Sequence, residues 1–154
     1  MADSLKDQIL AARTAALGEH TEDFEIPGFG GRLWGTFKAL DDYAELRQIG
    51  KRHEGITDQV EREMAVGADT LLEANTDTFA LIDGKKEPLG VRLGLELNGY
   101  LGIEGAQNDR EALFLLFDSK TTNLMQLFFR YDGWTKVAQT EAETRVEGKS
   151  ETAS

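Results

Sequence analysis

The stretch from Arg110 to Trp134, REALFLLFDSKTTNLMQLFFRYDGW, is the densest apolar segment of the chain and the strongest constraint on its fold. It holds four of the eight Phe and one of the two Trp. Ala112 to Phe117 are apolar without a break, and Asp118-Ser119 interrupts them. Leu124, Leu127, Phe128, Tyr131 and Trp134 then recur at spacings of three and four, which is one face of an α-helix. The pattern predicts a helical hairpin: a buried helix, a short polar break, and an amphipathic helix that Asp132-Gly133 ends near Trp134. Met125 and Phe129 form a second apolar face, about 100° round the helix. A helix with two apolar faces needs two things to pack against. The second is either more of this chain or a partner.

The totals set the class. A chain of 154 residues with 40% hydrophobic and 29% charged residues suffices for one soluble domain with a real core. It has no Cys, which excludes a disulfide framework, a thiolate metal site and a Cys nucleophile. MADSLKDQIL lacks the apolar centre of a signal peptide, and no apolar run approaches the roughly 20 residues that span a membrane. The expected location is the cytosol. A net charge of −11 argues against nucleic acid, since phosphate binding needs clustered Lys and Arg. Arg47, Lys51 and Arg52 come nearest to a cluster, among Glu45 and Glu54. The plain reading of the acidity is solubility.

Along the chain, Ser4 to Leu17 reads as a helix with Ser4 as cap and Gly18 as stop. Leu5, Ile9, Ala12 and Ala16 share one face; Leu10 and Leu17 mark a second. Thr21 to Asp23 reads as a polar linker. Phe24 to Leu40, FEIPGFGGRLWGTFKAL, reads as a β-hairpin around Pro27-Gly28 and Gly30-Gly31, with Trp34 opposite Leu33 and Phe37. Asp42 with Glu45 resembles a capping box that opens a helix whose apolar face is Tyr43, Leu46, Ile49 and Gly50. Thr57 or Asp58 caps the next helix, with Val60, Met64, Gly67, Leu71 and Ala74 on one face and Asn75 as its stop. Thr78 to Pro88 reads as a second hairpin around Asp83-Gly84. Leu89 to Ile103 fits a strand and a helix equally. Asn108 or Asp109 caps the ALFLLF helix. After Lys136 the apolar pattern is lost, which predicts a disordered tail.

The fold expected from this is α+β and mainly helical, an N-terminal β-hairpin packed on a helical bundle with a disordered C-terminal tail. One domain covers 1–135, divided into helix and linker (1–23), hairpin (24–40) and a mainly helical part (41–135). The tail covers 136–154.

Catalytic chemistry needs convergent reactive groups, and the motifs do not supply them. His20 lies in a polar linker and His53 near the end of a helix, as a structural residue. Two isolated His make no usual zinc site. The Gly28–Gly31 loop joins two strands, so it lacks the helix N-terminal amides of a phosphate loop. Gly148-Lys149-Ser150 resembles the end of a Walker A motif, but Glu143 stands where the first Gly belongs. The expectation is a protein that is not an enzyme and uses no cofactor or metal.

FEIPGFGGRLWGTFKALDDYAELRQIGKR, from Phe24 to Arg52, resembles the early part of tail assembly chaperones of long-tailed bacteriophages of actinobacterial hosts. Pro88 to Gly90, Leu95 to Ile103 and Arg110 to Phe117 resemble the second half of that family. The resemblance covers Phe24 to Trp134 and leaves the N-terminal helix unmatched. It implies a protein that binds the tape measure protein, a long helical chain, and keeps it soluble until the tail tube subunits polymerise around it. It also implies self-association, residence in the cytoplasm of the infected host, and absence from the mature virion. Many such chaperones have a longer form made by ribosomal frameshifting. Gly148-Lys149 can be encoded by a run on which ribosomes slip, which makes a longer form of this chain a hypothesis.

A protein that shields amphipathic helices needs apolar surface of its own and high charge to stay soluble while showing it. Apolar patterning therefore nominates Trp34, Met125, Phe128, Phe129, Tyr131 and Trp134 as partner contacts. The acidity suits a partner with basic stretches. The main alternative is a structural virion protein, a head–tail connector or minor tail component. A small enzyme or ligand-binding domain built on the Gly28–Gly31 loop is another, and would show a concave polar pocket near His53 or Trp34.

Overall fold

A computed structural model describes residues 4–118 and 121–152, with the side chains of 43, 121 and 142–152 left undescribed. The fold is α+β and mainly helical. In order, it runs α1 (Leu5–Gly18), β1 (Thr21–Glu25), β2 (Leu33–Lys38), a π-helical turn (Asp42–Leu46) leading into α2 (Arg47–Arg52), α3 (Gln59–Ala74), β3 (Asn75–Ile82), β4 (Lys85–Pro88), α4 (Leu95–Leu101), α5 (Asp109–Leu116) and α6 (Thr121–Thr152).

The strands form one four-stranded antiparallel sheet in the order β1-β2-β3-β4. The two expected hairpins are therefore halves of one sheet, joined where Leu33 pairs with Ala80 and Trp34 with Phe79. The segment Thr21–Asp23, expected as linker, is strand: Thr21 pairs with Lys38 and Asp23 with Thr36. Polar residues suit it because β1 is an edge, and the Thr36 hydroxyl donates to the Asp23 carboxylate at 2.7 Å. At the Asp83-Gly84 turn both residues have positive φ, 51° and 76°, the geometry of a two-residue hairpin loop whose twist matches the strands.

Leu33, Gly35 and Phe37 face the helices, while Trp34, Thr36 and Lys38 point the other way. Gly35 is required by crowding, since a Cβ there would lie 2.9 Å from the Phe37 ring and 3.2 Å from the Asn75 amide. The core beneath the sheet joins Phe37, Leu40, Ile49, Leu71, Leu97, Leu113, Leu124, Leu127 and Tyr131.

At the centre of the helical layer stands α3, which touches α2, α5, α6 and β2. Its buried residues include Ala65, Gly67, Ala68 and Ala74, small enough to let neighbouring helices come close. The two helices expected in this stretch, α5 and α6, follow one another across a short break, and both also pack on α3. Asp118 turns the chain between them with φ 50°; Ser119 and Lys120 lie outside the described residues.

Several caps form as the sequence predicts. Ser4, Asp58 and Asn108 accept the amides of Asp7, Glu61 and Glu111. The capping box at Asp42 does not form. Glu45 instead accepts the backbone N–H of Asp41 at 3.1 Å, and the amides of Glu45 and Leu46 both donate to the Asp41 carbonyl. The Asp41 carboxylate, 0% exposed, turns to α1 and accepts the Thr14 hydroxyl at 2.8 Å and Arg13 Nε at 3.3 Å.

That contact sets the face of α1. The helix buries Leu17 and half-buries Leu10, Arg13 and Thr14, leaving Leu5 and Ile9 exposed at 73% and 61%. In the ambiguous segment 89–103, Leu95–Leu101 is helix and the residues before it are irregular. Asp109 Oδ1 caps α4 by accepting the Leu95 amide at 2.9 Å.

The last helix does not end near Trp134. Thr135 and Ala138 are buried beyond it, and Ala138 packs with Leu17, Ala39 and Trp134. Residues 136–141, assigned in sequence to the tail, are therefore packed helix, and the backbone of 142–152 continues it. Residues 153 and 154 lie outside the described residues.

Candidate functional site

Where α2, α3 and the first turns of α6 meet, they leave an open groove of about 700 Å³. Its floor is Gly50, Val66, Met125, Phe128 and Phe129; its rim carries Arg47, Lys51, Glu54, Arg62 and Glu63. Each helix contributes for a local reason. On α6, the buried stripe Leu124, Leu127 and Tyr131 fixes the rotation of the helix and turns Met125, Phe128 and Phe129 towards α2 and α3. On α3, Gly67 admits the Phe128 ring, which lies 3.3 Å from where a Cβ would stand. On α2, Gly50 leaves the floor open: no atom of a neighbouring element comes within 4 Å of where its Cβ would stand. Phe128 and Phe129 have ring centroids 5.8 Å apart, and Phe129 is 63% exposed.

Three of the six nominated residues, Met125, Phe128 and Phe129, are thereby brought together on one surface. The other three are not. Tyr131 is 1% exposed, donates its hydroxyl to the Lys38 carbonyl at 2.9 Å and accepts the Leu40 amide at 3.1 Å. It ties α6 to the end of β2 and is out of a partner's reach, which corrects its nomination. Burial raises its phenol to about 12. Trp134 is half-buried against Phe24 and Tyr131, with ring centroids 5.9 Å away in each case. Trp34 lies on the outer face of the sheet, stacked on Phe79 at 6.2 Å, with its indole N–H donated to the Gly31 carbonyl. Sequence periodicity finds an apolar face but cannot tell whether the chain itself covers it. Arg47, Lys51 and Arg62 escaped nomination because only the fold sets them around an apolar floor.

A second, polar cleft of about 460 Å³ lies near His53, lined among others by Arg52, Asp69, Arg92 and Arg110. His53 is buried at the end of α2, and its Nε2 lies 2.7 Å from Asp69 Oδ2. Arg110 donates to both oxygens of Asp69, at 2.9 and 2.7 Å. Burial pushes the Asp69 carboxyl up, but the hydrogen bonds from Arg110 and His53 outweigh it and hold it below the usual carboxylate range. Both carboxylate oxygens and one imidazole nitrogen are thus engaged in joining α2, α3 and α5. The Gly28–Gly31 loop does not line this cleft; Gly28 faces Asn123 at the start of α6. The loop and His53 therefore do not form one site.

Among the described residues, no group of three or more His, Cys, Asp or Glu is placed to hold a metal ion. No helix among them is long and apolar enough to cross a membrane. Comparison with protein-family models, with curated proteins and with solved structures gives no match to this chain.

Proposed function

We propose that this protein is a tail assembly chaperone of a long-tailed bacteriophage, which binds the tape measure protein through the groove between α2, α3 and α6. The carrying observation is the groove itself: an open apolar floor with Phe129 63% exposed, on a protein of net charge −11. An exposed aromatic and a Met on a concave surface suit an amphipathic helix, whose apolar stripe needs cover until assembly. The high charge keeps such a surface in solution. On this reading the protein acts in the cytoplasm of the infected host as a binding protein rather than an enzyme, associates with itself or a frameshifted longer form, meets the tail tube protein only during assembly, and is absent from the finished virion.

The test is co-expression with the tape measure protein encoded beside this gene. The tape measure protein is expected to be insoluble alone, soluble with this chain, and lost again with Phe129→Glu. Because Phe129 is exposed, the variant should keep its circular dichroism spectrum while partner affinity falls at least roughly tenfold. A wild-type chain that neither binds nor solubilises the tape measure protein rejects the proposal. Its presence in purified virions would favour the connector or minor tail protein instead.

A further inference from the structure

The charges at the groove run against those of the molecule. The chain has 28 acidic and 17 basic residues, but the groove is lined by three basic residues, Arg47, Lys51 and Arg62, and two acidic ones, Glu54 and Glu63. Arg47 and Lys51 lie one turn apart on α2, so both project from the same side of it. Both are exposed, and neither takes part in an ion pair among the described residues. Arg62 stands one turn before Val66 on α3, so its cation borders the same floor. Arg62 is half-buried and donates to the Ile56 carbonyl at 3.5 Å, so Arg47 and Lys51 are the more open of the three cations; of the two carboxylates, Glu63 accepts a hydrogen bond from Gln59 at 3.2 Å.

We propose that the groove receives a partner helix whose apolar stripe is bordered by carboxylates, with Arg47, Lys51 and Arg62 selecting its charge. This rests on the reading of the groove as a docking site and reverses what net charge alone would suggest. Long-range attraction to a molecule of charge −11 favours a basic partner, whereas close contact at this rim favours an acidic one. Short-range pairing decides the bound state, because charges more than about 8–10 Å away are screened at ordinary ionic strength. Three helices line the groove and rings fill its floor, so the occupant is held by side chains at helical spacing rather than by backbone pairing.

The experiment uses two labelled synthetic peptides of about five helical turns. They share one Leu stripe at helical spacing and differ only in flanking residues, Glu in one and Lys in the other. Binding to the full-length protein is read by fluorescence anisotropy at low and at moderate salt. The Glu peptide should bind roughly tenfold more tightly, with the advantage shrinking as salt is added. Arg47→Glu with Lys51→Glu should reverse the preference. Gly50→Leu, whose Cβ would meet no neighbouring atom within 4 Å, should weaken both peptides by filling the floor. Equal affinities, a preference for the Lys peptide, no binding of either, or a preference that survives charge reversal would overturn the proposal. Both lesions sit on exposed or open positions, and circular dichroism confirms that each variant is folded. Solubilisation of the tape measure protein without Glu-peptide preference would sink this inference and leave the chaperone reading standing. Glu-peptide preference without any tape measure binding would do the opposite.

Discussion

Tyr131 shows how one hydroxyl can couple two elements. It donates to the Lys38 carbonyl and accepts the Leu40 amide, so both groups at the end of β2 are satisfied inside the core. Burial raises the phenol from 10.0 to about 12, which means that folding favours the protonated form. Its contribution is complete below the unfolded pKa of 10.0 and is lost as pH rises towards about 12. Tyr131→Phe should therefore lower stability at neutral pH by about 1–2 kcal/mol. It should also flatten the fall in stability across that alkaline range, as read by chemical unfolding at several pH values. An unchanged alkaline slope would contradict this account. In the sequence, Tyr131 is only one more member of an apolar stripe. Its hydroxyl partners lie far away in the chain, at Lys38 and Leu40, and periodicity carries no information about them. Phe129 is the opposite case. Its place off the stripe is legible, and so is the question of what covers it, but its exposure is a property of the fold.

Whole helices were legible in proportion to how much apolar area their packing uses. In α6 the buried face is made of large residues, Leu124, Leu127 and Tyr131, and the spacing gives it directly. In α3 the residues that matter most are small, and Gly67 works by what it lacks. Hydropathy gives such a face little weight, so the central helix looks like one helix among several. With α1 the apolar pattern selects the wrong face. Leu5, Ile9, Ala12 and Ala16 form the more obvious stripe, yet they face solvent, because Arg13 and Thr14 must reach the buried Asp41 carboxylate. Arg13 also reaches Asp42 at 3.1 Å. Hydrogen bonds to a charged group contribute about 1.5–3 kcal/mol. Asp41→Ala should thus loosen α1 ahead of the rest of the fold. Hydrogen exchange should show its amides opening much faster while those of α3 keep most of their protection. Equal protection of α1 in wild type and variant would show that Leu17 and the Arg13–Asp42 pair hold it without the Asp41 carboxylate.

The molecule as a whole depends on the seam between β2 and β3, which brings the two hairpins together across the helices α2 and α3. Asn75 pins that seam. Its amide donates to the carbonyls of Thr36 at 3.1 Å and Asp77 at 2.9 Å, and its Oδ1 accepts the Leu93 amide at 2.9 Å. The register slips beside it, between Thr36 and Phe37. Read in sequence, Asn75 is a helix stop, which is correct but incomplete, since two of its three partners, Thr36 and Leu93, are distant in the chain. Asn75→Ala should cost about 2–4 kcal/mol and lower the melting temperature by about 6–12 °C, measured calorimetrically. A loss under about 1 kcal/mol would mean that water replaces the amide at little cost. The sheet so assembled has two open borders. One is β1, with Glu22, Asp23 and Glu25; the other is β4, Lys85, Lys86, Glu87 and Pro88, all exposed. Charge on both borders, and the missing backbone donor of Pro88 on β4, make them poor templates for a further strand. A molecule that displays bare aromatic surface beside a sheet would otherwise be open to edge-to-edge stacking into fibres. Here the exposed aromatic surface and the charged strand borders are chemically distinct, so pairing through the sheet edges is disfavoured even where the apolar groove is open.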